Sequence, residues 1–266
     1  MKKYFFLLLP AMFFISAGCT KSNMPDDQPE SHIKLGEGYA AGAAVRLEIF
    51  SLTALSTGYN PILIKLYDSL SGQPVENAAI RFRPMMDMGT MKHSAPVENP
   101  APTALKKQFS GAVVFTMPSG SMVTWALDIL VEQKGKHGLF SMPVQIAEPK
   151  VSRLKSFVSK VDNSKFFIAL LEPAQPKIGV NDMELAIYRV KNMMEFPADS
   201  SLTVTLSPEM PTMGHGSPNN TDPVHTVNGH YKGKVNFTMT GLWHLNLGFY
   251  SESAVADDNT FFEVNF

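Results

Sequence analysis

The chain carries one short string of residues twice, and this internal repeat constrains the fold more than any other feature. The first copy, Met-Gly-Thr-Met-Lys-His, begins at Met88, and the second, Met-Pro-Thr-Met-Gly-His, begins at Met210. Each copy is followed by a Pro-containing stretch and then by a similar segment, residues 109–117 in one half and 231–239 in the other. The repeat predicts that the chain is a tandem duplication of one structural unit.

Apolar and polar residues alternate with a period of two through both halves. Residues 123–131 and 243–249 show it most clearly, and each segment contains a tryptophan, Trp125 or Trp243. Such alternation predicts half-buried strands, and no helical pattern interrupts it. With roughly six or seven short strands per unit, we predict an all-β fold with two tandem immunoglobulin-like antiparallel β-sandwich domains. We expect both tryptophans to fill the cores.

The N-terminal residues predict export. Lys2 and Lys3 precede an apolar stretch, residues 4–15, which is too short to span a bilayer and is typical of a secretory signal peptide. The small residues 16–18 lead into Cys19, as in bacterial lipoproteins, where the cysteine becomes the lipidated first residue. The alternative is an ordinary signal with an incidental cysteine. Cys19 is the only cysteine, so a lipidated chain would hold no disulfide and no thiolate metal site.

These signals predict the layout of the chain and its location. We predict a lipoprotein signal peptide at residues 1–18, the lipidated cysteine with a flexible tether at 19–35, and sandwich domains at 36–148 and 149–266. The tether is inferred from its polar, Pro-containing composition. The protein is then expected in the bacterial cell envelope, anchored through Cys19 to a membrane such as the outer membrane. Either the periplasmic or the surface face is compatible with the sequence.

Composition and motifs argue against two other classes of protein. The formal net charge is −1 and no basic run occurs, so we expect no nucleic acid partner. The sequence contains no nucleophile elbow, no phosphate-binding Gly-rich loop and no His-Glu-x-x-His string, and its acidic residues are dispersed. We therefore predict that the protein is not an enzyme.

The repeated string carries a recognisable set of metal donors. In an extended chain, residues two apart share a face, which places Met91 beside His93 and Met213 beside His215. The first methionine of each string joins them if the chain bends in between. The candidate ligands are Met88, Met91, His93, Met210, Met213 and His215. Nearby residues are additional candidates: Met85, Met86, His225 and His230.

These side chains suit one metal best. A thioether is soft and uncharged, so it favours Cu(I), and imidazole adds a donor of intermediate softness. Copper is therefore the expected cofactor, and a copper-receiving protein of the envelope is an expected partner. The alternative is that the methionines only fill gaps and contact aromatic rings, as methionine often does.

The motifs also resemble a known family. Met-Pro-x-Met-x-His, then Tyr-x-Gly-x-Val-x-Phe-x-Met and Gly-x-Trp, resemble the YtkA-like domain, which is related to the periplasmic part of FixH proteins. The second half carries the pattern through Met210, Pro211, Met213, His215, Tyr231, Gly233, Val235, Phe237, Met239, Gly241 and Trp243. The first half departs from it at Gly89 and Phe109. The resemblance implies tandem small exported β-sandwiches and a link to copper supply for respiratory oxidases.

Two functions remain open from the sequence. The first is a cell-envelope lipoprotein that binds Cu(I) through the duplicated Met-x-x-Met-x-His loops and carries or buffers copper. The second is an immunoglobulin-like protein-interaction module of the envelope that binds no metal, in which loops or edge strands contact another protein.

Overall fold

The computed structural model of the protein describes Met1, residues 32–103 and residues 107–266, and these ranges contain β-strands and no α-helix. The first half contains the strands β1 (Ile33–Ala40), β2 (Val45–Ser51), β3 (Gly58–Asp68), β4 (Ala79–Asp87), β5 (Lys92–His93), β6 (Val97–Pro102), β7 (Phe109–Phe115), β8 (Thr124–Gln133) and β9 (Lys136–Val144). One turn of 3₁₀ helix, Ala41–Ala43, joins β1 to β2. The predicted signal peptide, the lipidation at Cys19 and most of the predicted tether lie outside the described residues.

The second half adds the same number of strands. They are β10 (Leu154–Val158), β11 (Lys165–Glu172), β12 (Gly179–Val190), β13 (Leu202–Met210), β14 (His215–Gly216), β15 (Thr221–His225), β16 (His230–Phe237), β17 (Leu242–Ser251) and β18 (Ala254–Asn265).

The strands form two sheets in each half, and all of their named pairings are antiparallel. The first half has a sheet in the order β1-β2-β3-β7-β6 and another in the order β5-β4-β8-β9. The second half repeats this arrangement strand for strand, as β10-β11-β12-β16-β15 and β14-β13-β17-β18. The predicted fold class, an all-β chain of two immunoglobulin-like sandwiches, is confirmed.

Alternating side chains build a separate core in each sandwich. Strand β2 shows the pattern plainly, because Val45, Leu47 and Ile49 are buried and the residues between them are partly exposed. The predicted role of the tryptophans is confirmed, since Trp125 and Trp243 are buried in the first and second cores. Burial leaves each indole N–H in need of an acceptor, and each donates to a backbone carbonyl, at 3.0 Å and 3.1 Å respectively.

The first strand was not predicted. β1 begins at Ile33, inside the segment 19–35 that was predicted to be tether, and it pairs with β2. Its apolar pattern is interrupted by Gly36 and Gly38. A side chain at Gly38 would collide with the ring of Phe140, whose atoms lie 2.1 Å from the position of an added Cβ. The glycines therefore make room for side chains of β9, and this hides the strand from a search for alternation.

A third cluster of buried residues connects the two sandwiches. It joins Val114 of β7 to Ala169 of β11 and to Ala186 and Tyr188 of β12. Residues 32–266 accordingly form one compact unit. The larger sheets of the two sandwiches thus meet along an apolar contact, which fixes the surroundings of the candidate site.

Candidate functional site

The first Met-rich string forms a β-hairpin at the edge of the smaller sheet of the first sandwich. Strand β4 enters it and β5 leaves it, and Met86 pairs with His93 across the hairpin. Asp87 closes the turn, because its carboxylate accepts a hydrogen bond of 2.8 Å from the Gly89 N–H. This hydrogen bond and the Lys92 ammonium hold the pKa of Asp87 below its usual range. We call residues 86–93 the first hairpin.

Side chains of the first hairpin line a pocket of about 630 Å³. The sulfur and imidazole groups in its lining belong to Met86, Met88, Met91, Met117, Met193 and His93. The three ligands predicted for the first copy, Met88, Met91 and His93, therefore share one pocket. Met86, an additional candidate, lines the same pocket. Met117 and Met193 were not predicted as ligands, because only the folded chain brings them to the hairpin.

The chemistry of this donor set fits a soft ion. Thioether and imidazole suit Cu(I), whereas Mg²⁺ and Ca²⁺ require oxygen ligands such as carboxylates. No acidic residue occurs among the described residues that line the pocket. In the described part of the chain, moreover, no group of three or more His, Cys, Asp or Glu side chains is placed to hold a metal. The soft donors in the described lining are therefore five thioethers and one imidazole.

The second Met-rich string also forms a hairpin, residues 210–215, which we call the second hairpin. Met210 pairs with His215 across β13 and β14. Met210 is buried in the second core, whereas Met213 is 59% exposed at the turn. The His215 ring meets the Trp243 indole edge to face, with ring centroids 6.0 Å apart. Met210 and His215 are thus adjacent, but Met210 is committed to core packing.

The two hairpins do not correspond in the way that the repeated spacing predicts. His93 pairs with Met86, and His215 pairs with Met210. Met86 and Met210 are both buried, at 3% and 4% exposure. Met86, and not Met88, therefore occupies the position of Met210. The reason is that the first hairpin continues for one more pair, Asp87 with Lys92, before its turn, and this places Met88 beyond the paired strands.

Met85 lies apart from the first hairpin's donors. It precedes the buried Met86 on β4 and is only partly buried. Because neighbouring residues on a strand point to opposite faces, Met85 lies on the outer face of the sheet. Met85 is also not one of the residues that line the pocket. The structure therefore places Met85 apart from the other candidate ligands of the first hairpin.

The two additional histidine candidates lie far from the second hairpin. His225 pairs with Tyr231, which neighbours His230, and the Tyr231 hydroxyl accepts a hydrogen bond from the Leu202 N–H at 3.3 Å. Leu202 begins β13, and Met210 ends it. At a rise of about 3.3 Å per residue, the strand separates its two ends by about 26 Å. The structure thus does not bring His225 and His230 to the second hairpin, which they were predicted to supplement.

His230 instead belongs to a polar cluster that joins the two sandwiches. Its Nδ1 and Nε2 each lie 2.7 Å from a carboxylate oxygen, of Glu184 and of Glu98 respectively. The Tyr59 and Tyr188 hydroxyls also donate to Glu98, each at 2.8 Å. Glu98 and Tyr59 come from the first sandwich and the other three residues from the second. We call these five residues the Glu98 cluster.

Hydrogen bonding sets the charges in the Glu98 cluster. The bond to Glu98 raises the pKa of His230, against the opposing effect of burial, and Glu184 adds to the rise. Burial acts to raise the pKa of Glu98, but hydrogen bonds from His230, Tyr188 and Tyr59 outweigh it and leave that pKa lowered. Both ring nitrogens of His230 face carboxyl oxygens, which favours the doubly protonated, cationic form of the ring. The raised pKa of His230 and the lowered pKa of Glu98 act in the same direction.

The comparison with protein families gives one match. Residues 160–248 match the model of the YtkA-like family. This range lies in the second sandwich and includes Met210, Met213 and His215, so the resemblance stated from the sequence is confirmed for that part of the chain. Within the described residues, no helix is both long and apolar enough to cross a bilayer.

Comparisons with individual proteins give remote structural similarities. No curated protein matches the sequence. FdeC, an Escherichia coli adhesin, is 8% identical, with 86% of this chain and 65% of the FdeC chain covered and a TM-score of 0.27. Invasin, a bacterial integrin-binding protein, is 12% identical, with 83% and 39% covered and a TM-score of 0.26. A chimeric tandem of titin Z1Z2 is 7% identical, with 80% and 92% covered and a TM-score of 0.21. The chain thus spans less than two thirds of the FdeC and invasin chains.

Proposed function

We propose that the protein binds Cu(I) at the first hairpin and carries or buffers the metal in the bacterial cell envelope. One observation carries this proposal: five thioethers and one imidazole line a single pocket whose described lining holds no carboxylate. Soft donors of this kind favour Cu(I) over the hard divalent ions. The ligands that the hairpin itself supplies are Met86, Met88, Met91 and His93.

The burial of these ligands suits a metal that is taken up and passed on. Met86 is buried in the first core and also lines the pocket, whereas Met91 is 47% exposed and His93 is partly exposed. A Cu(I) ion bound between them would be fixed on its inner side and reachable from outside. A copper-receiving protein would then approach from the side of Met91, and the chain would not need to unfold.

The location is proposed from the sequence. The signal-like residues 1–18 and Cys19 support an exported, lipid-anchored protein, and thioether ligands remain usable outside the cytoplasm, where free thiols tend to oxidise. We assign the second hairpin a weaker copper site, because it supplies two methionines and one histidine, whereas five methionines and one histidine line the pocket of the first hairpin.

A second candidate function rests on the size of the pocket. A volume of about 630 Å³ is far more than one metal ion fills, and Met91 and Met193, which line the pocket, are both exposed. Flexible methionine side chains adapt to varied partners. The chain would then be an interaction module that binds another envelope protein, and copper would not change that affinity.

An anaerobic Cu(I) titration against a chromophoric chelator tests the proposal. The full chain is compared with His93→Ala, Met91→Ala and the control Met85→Ala, whose side chain lies on the outer face. We expect each ligand variant to bind at least about tenfold more weakly, since even the outer-shell partners of metal ligands usually change affinity about 10–100-fold. We expect Met85→Ala to bind like the wild type. The proposal fails if the chelator takes all the copper from the wild type, or if all three variants behave alike.

A further inference from the structure

The loop between β12 and β13 of the second sandwich reaches the pocket of the first hairpin. Its turn is closed by hydrogen bonds from the Lys191 and Asn192 N–H groups to the Glu195 carbonyl, at 3.0 Å and 3.4 Å. The Met194 N–H donates to the Asn192 side chain at 2.8 Å. Residues 191–196 are therefore a shaped turn, which we call the Met193 loop.

The Met193 loop is fastened next to His93. The Ser94 N–H donates to the Met193 carbonyl at 2.9 Å, which is a backbone bond between the two sandwiches. Ser94 is itself buried, and its hydroxyl donates to the Pro84 carbonyl of β4 at 2.9 Å. The residue after His93 is thus held to its own sheet on one side and to the Met193 loop on the other.

The side chains of the loop divide between two surfaces. Met193 lines the same pocket as Met86, Met91 and His93. Its neighbour Met194 does not line that pocket, and instead lines an adjacent groove. The exposed fractions of the two methionines are similar, at 53% and 46%. Met193 and Met194 are therefore similarly exposed but line different pockets.

We propose that Met193 supplies a thioether ligand from the second sandwich to the Cu(I) held by the first hairpin. This inference rests on the proposed function. It follows from the position of Met193, which is fixed by a backbone bond one residue from His93 and shares the pocket of the other soft donors. The copper site then belongs to both sandwiches and depends on how they dock.

A shared ligand links metal binding to the contact between the sandwiches. A ligand that binds only the docked arrangement stabilises that arrangement, and the effect grows with its concentration relative to its dissociation constant. Cu(I) should therefore restrain the Met193 loop as well as the first hairpin. The same linkage requires that loss of the Met193 sulfur weakens copper binding without changing the hairpin itself.

Matched substitutions separate this inference from the proposed function. Leucine has nearly the volume of methionine and lacks its sulfur, so Met193→Leu removes the donor with little change in packing. Met194→Leu makes the same change in the adjacent groove. Both variants and the wild-type full chain are titrated with Cu(I) against a chelator, and amide hydrogen exchange of residues 191–196 is followed with and without Cu(I).

Each outcome decides the question. We expect Met193→Leu to bind Cu(I) at least about tenfold more weakly, Met194→Leu to match the wild type, and Cu(I) to slow exchange in the loop of the wild type but not of Met193→Leu. If the wild type binds Cu(I) and Met193→Leu binds it equally well, the shared ligand is refuted while the copper site stands. If the wild type binds no Cu(I), both proposals are refuted.

Discussion

Replacement of Glu98 by Gln removes the negative charge at the centre of the Glu98 cluster while keeping the shape of the side chain. The carboxylate accepts hydrogen bonds from His230, Tyr59 and Tyr188. A hydrogen bond to a charged group contributes about 1.5–3 kcal/mol, and a Gln carbonyl can still accept part of this set. With one charge-assisted bond lost and the others weakened, we expect the free energy of unfolding to fall by about 2–3 kcal/mol.

The loss of unfolding free energy caused by Glu98→Gln should depend on pH in a defined direction. The pKa of His230 is raised in the folded protein from 6.5, so its contribution is complete below about pH 6.5 and is lost as the pH rises through the folded pKa. The pKa of Glu98 is lowered from 4.5, so its contribution is present above about pH 4.5 and is lost as the pH falls through the folded pKa. The difference between the wild type and Glu98→Gln should therefore be largest between about pH 4.5 and 6.5.

Urea unfolding followed by tryptophan fluorescence measures this difference. With a slope of about 2 kcal/mol per molar urea, the expected loss shifts the midpoint down by roughly 1 M. Glu263→Gln is the matched control, because the exposed Glu263 lies 3.6 Å from His244 in another glutamate–histidine pair. Exposed pairs contribute about 0–1 kcal/mol, so that midpoint should barely move. Equal shifts in both variants, or a shift for Glu98→Gln that is the same at every pH, would refute the reasoning.

Two further pairs of substitutions test the local structure of the repeat by the same urea assay. Gly241→Ala should lower the free energy of unfolding by about 1–3 kcal/mol, because Gly241 has a φ of 130° and an added Cβ would lie 2.8 Å from Met210 Cε. Gly89→Ala should lower it less, because Gly89 has a φ of 82° but an added Cβ would have no atom within 4 Å. Asn60→Ala and Asn181→Ala should each cost about 1–3 kcal/mol, because both buried amides close an equivalent turn before a strand through matching hydrogen bonds. A cost from only one of the two asparagines would argue against equivalent turns.

The long strands could be predicted from the sequence because burial on one face imposes a period of two. Residues 45–51 alternate, and β2 runs over the same residues. Strands β5 and β14 are two residues long, and no alternation can be read from so short a segment. β1 was missed because its glycines accommodate side chains of β9, a reason that lies in tertiary packing.

The types of residue in the candidate site could be predicted from the sequence, but their arrangement could not. The repeated string predicts Met91 and His93 as neighbours, and both line the pocket. Sequence spacing does not report which residues pair across a hairpin, however, so the pairing of His93 with Met86 could not be foreseen. Met193 and the Glu98 cluster depend on docking between sandwiches, which brings together residues distant in the chain. The dispersed acidic residues gave no signal of that contact.

The turn at Asn60, in contrast, could be predicted from the repeat. The sequence echoes a Gly-x-Asn string in the second half, and the structure places Asn60 and Asn181 in the same turn with the same three hydrogen bonds to backbone groups at positions i−4 and i−2. Contacts within a few residues are preserved by the string itself. Hydrogen bonds between residues close in the chain can therefore be predicted from the repeat, whereas contacts between the two halves cannot.

X-ray absorption spectroscopy of the full chain with one equivalent of Cu(I), prepared without thiols or air, tests the central claim most directly. The account predicts a first coordination shell of sulfur with one nitrogen, and a shell without that nitrogen in His93→Ala. A shell of oxygen and nitrogen alone, or a mixed shell that His93→Ala leaves unchanged, would contradict copper binding at the first hairpin.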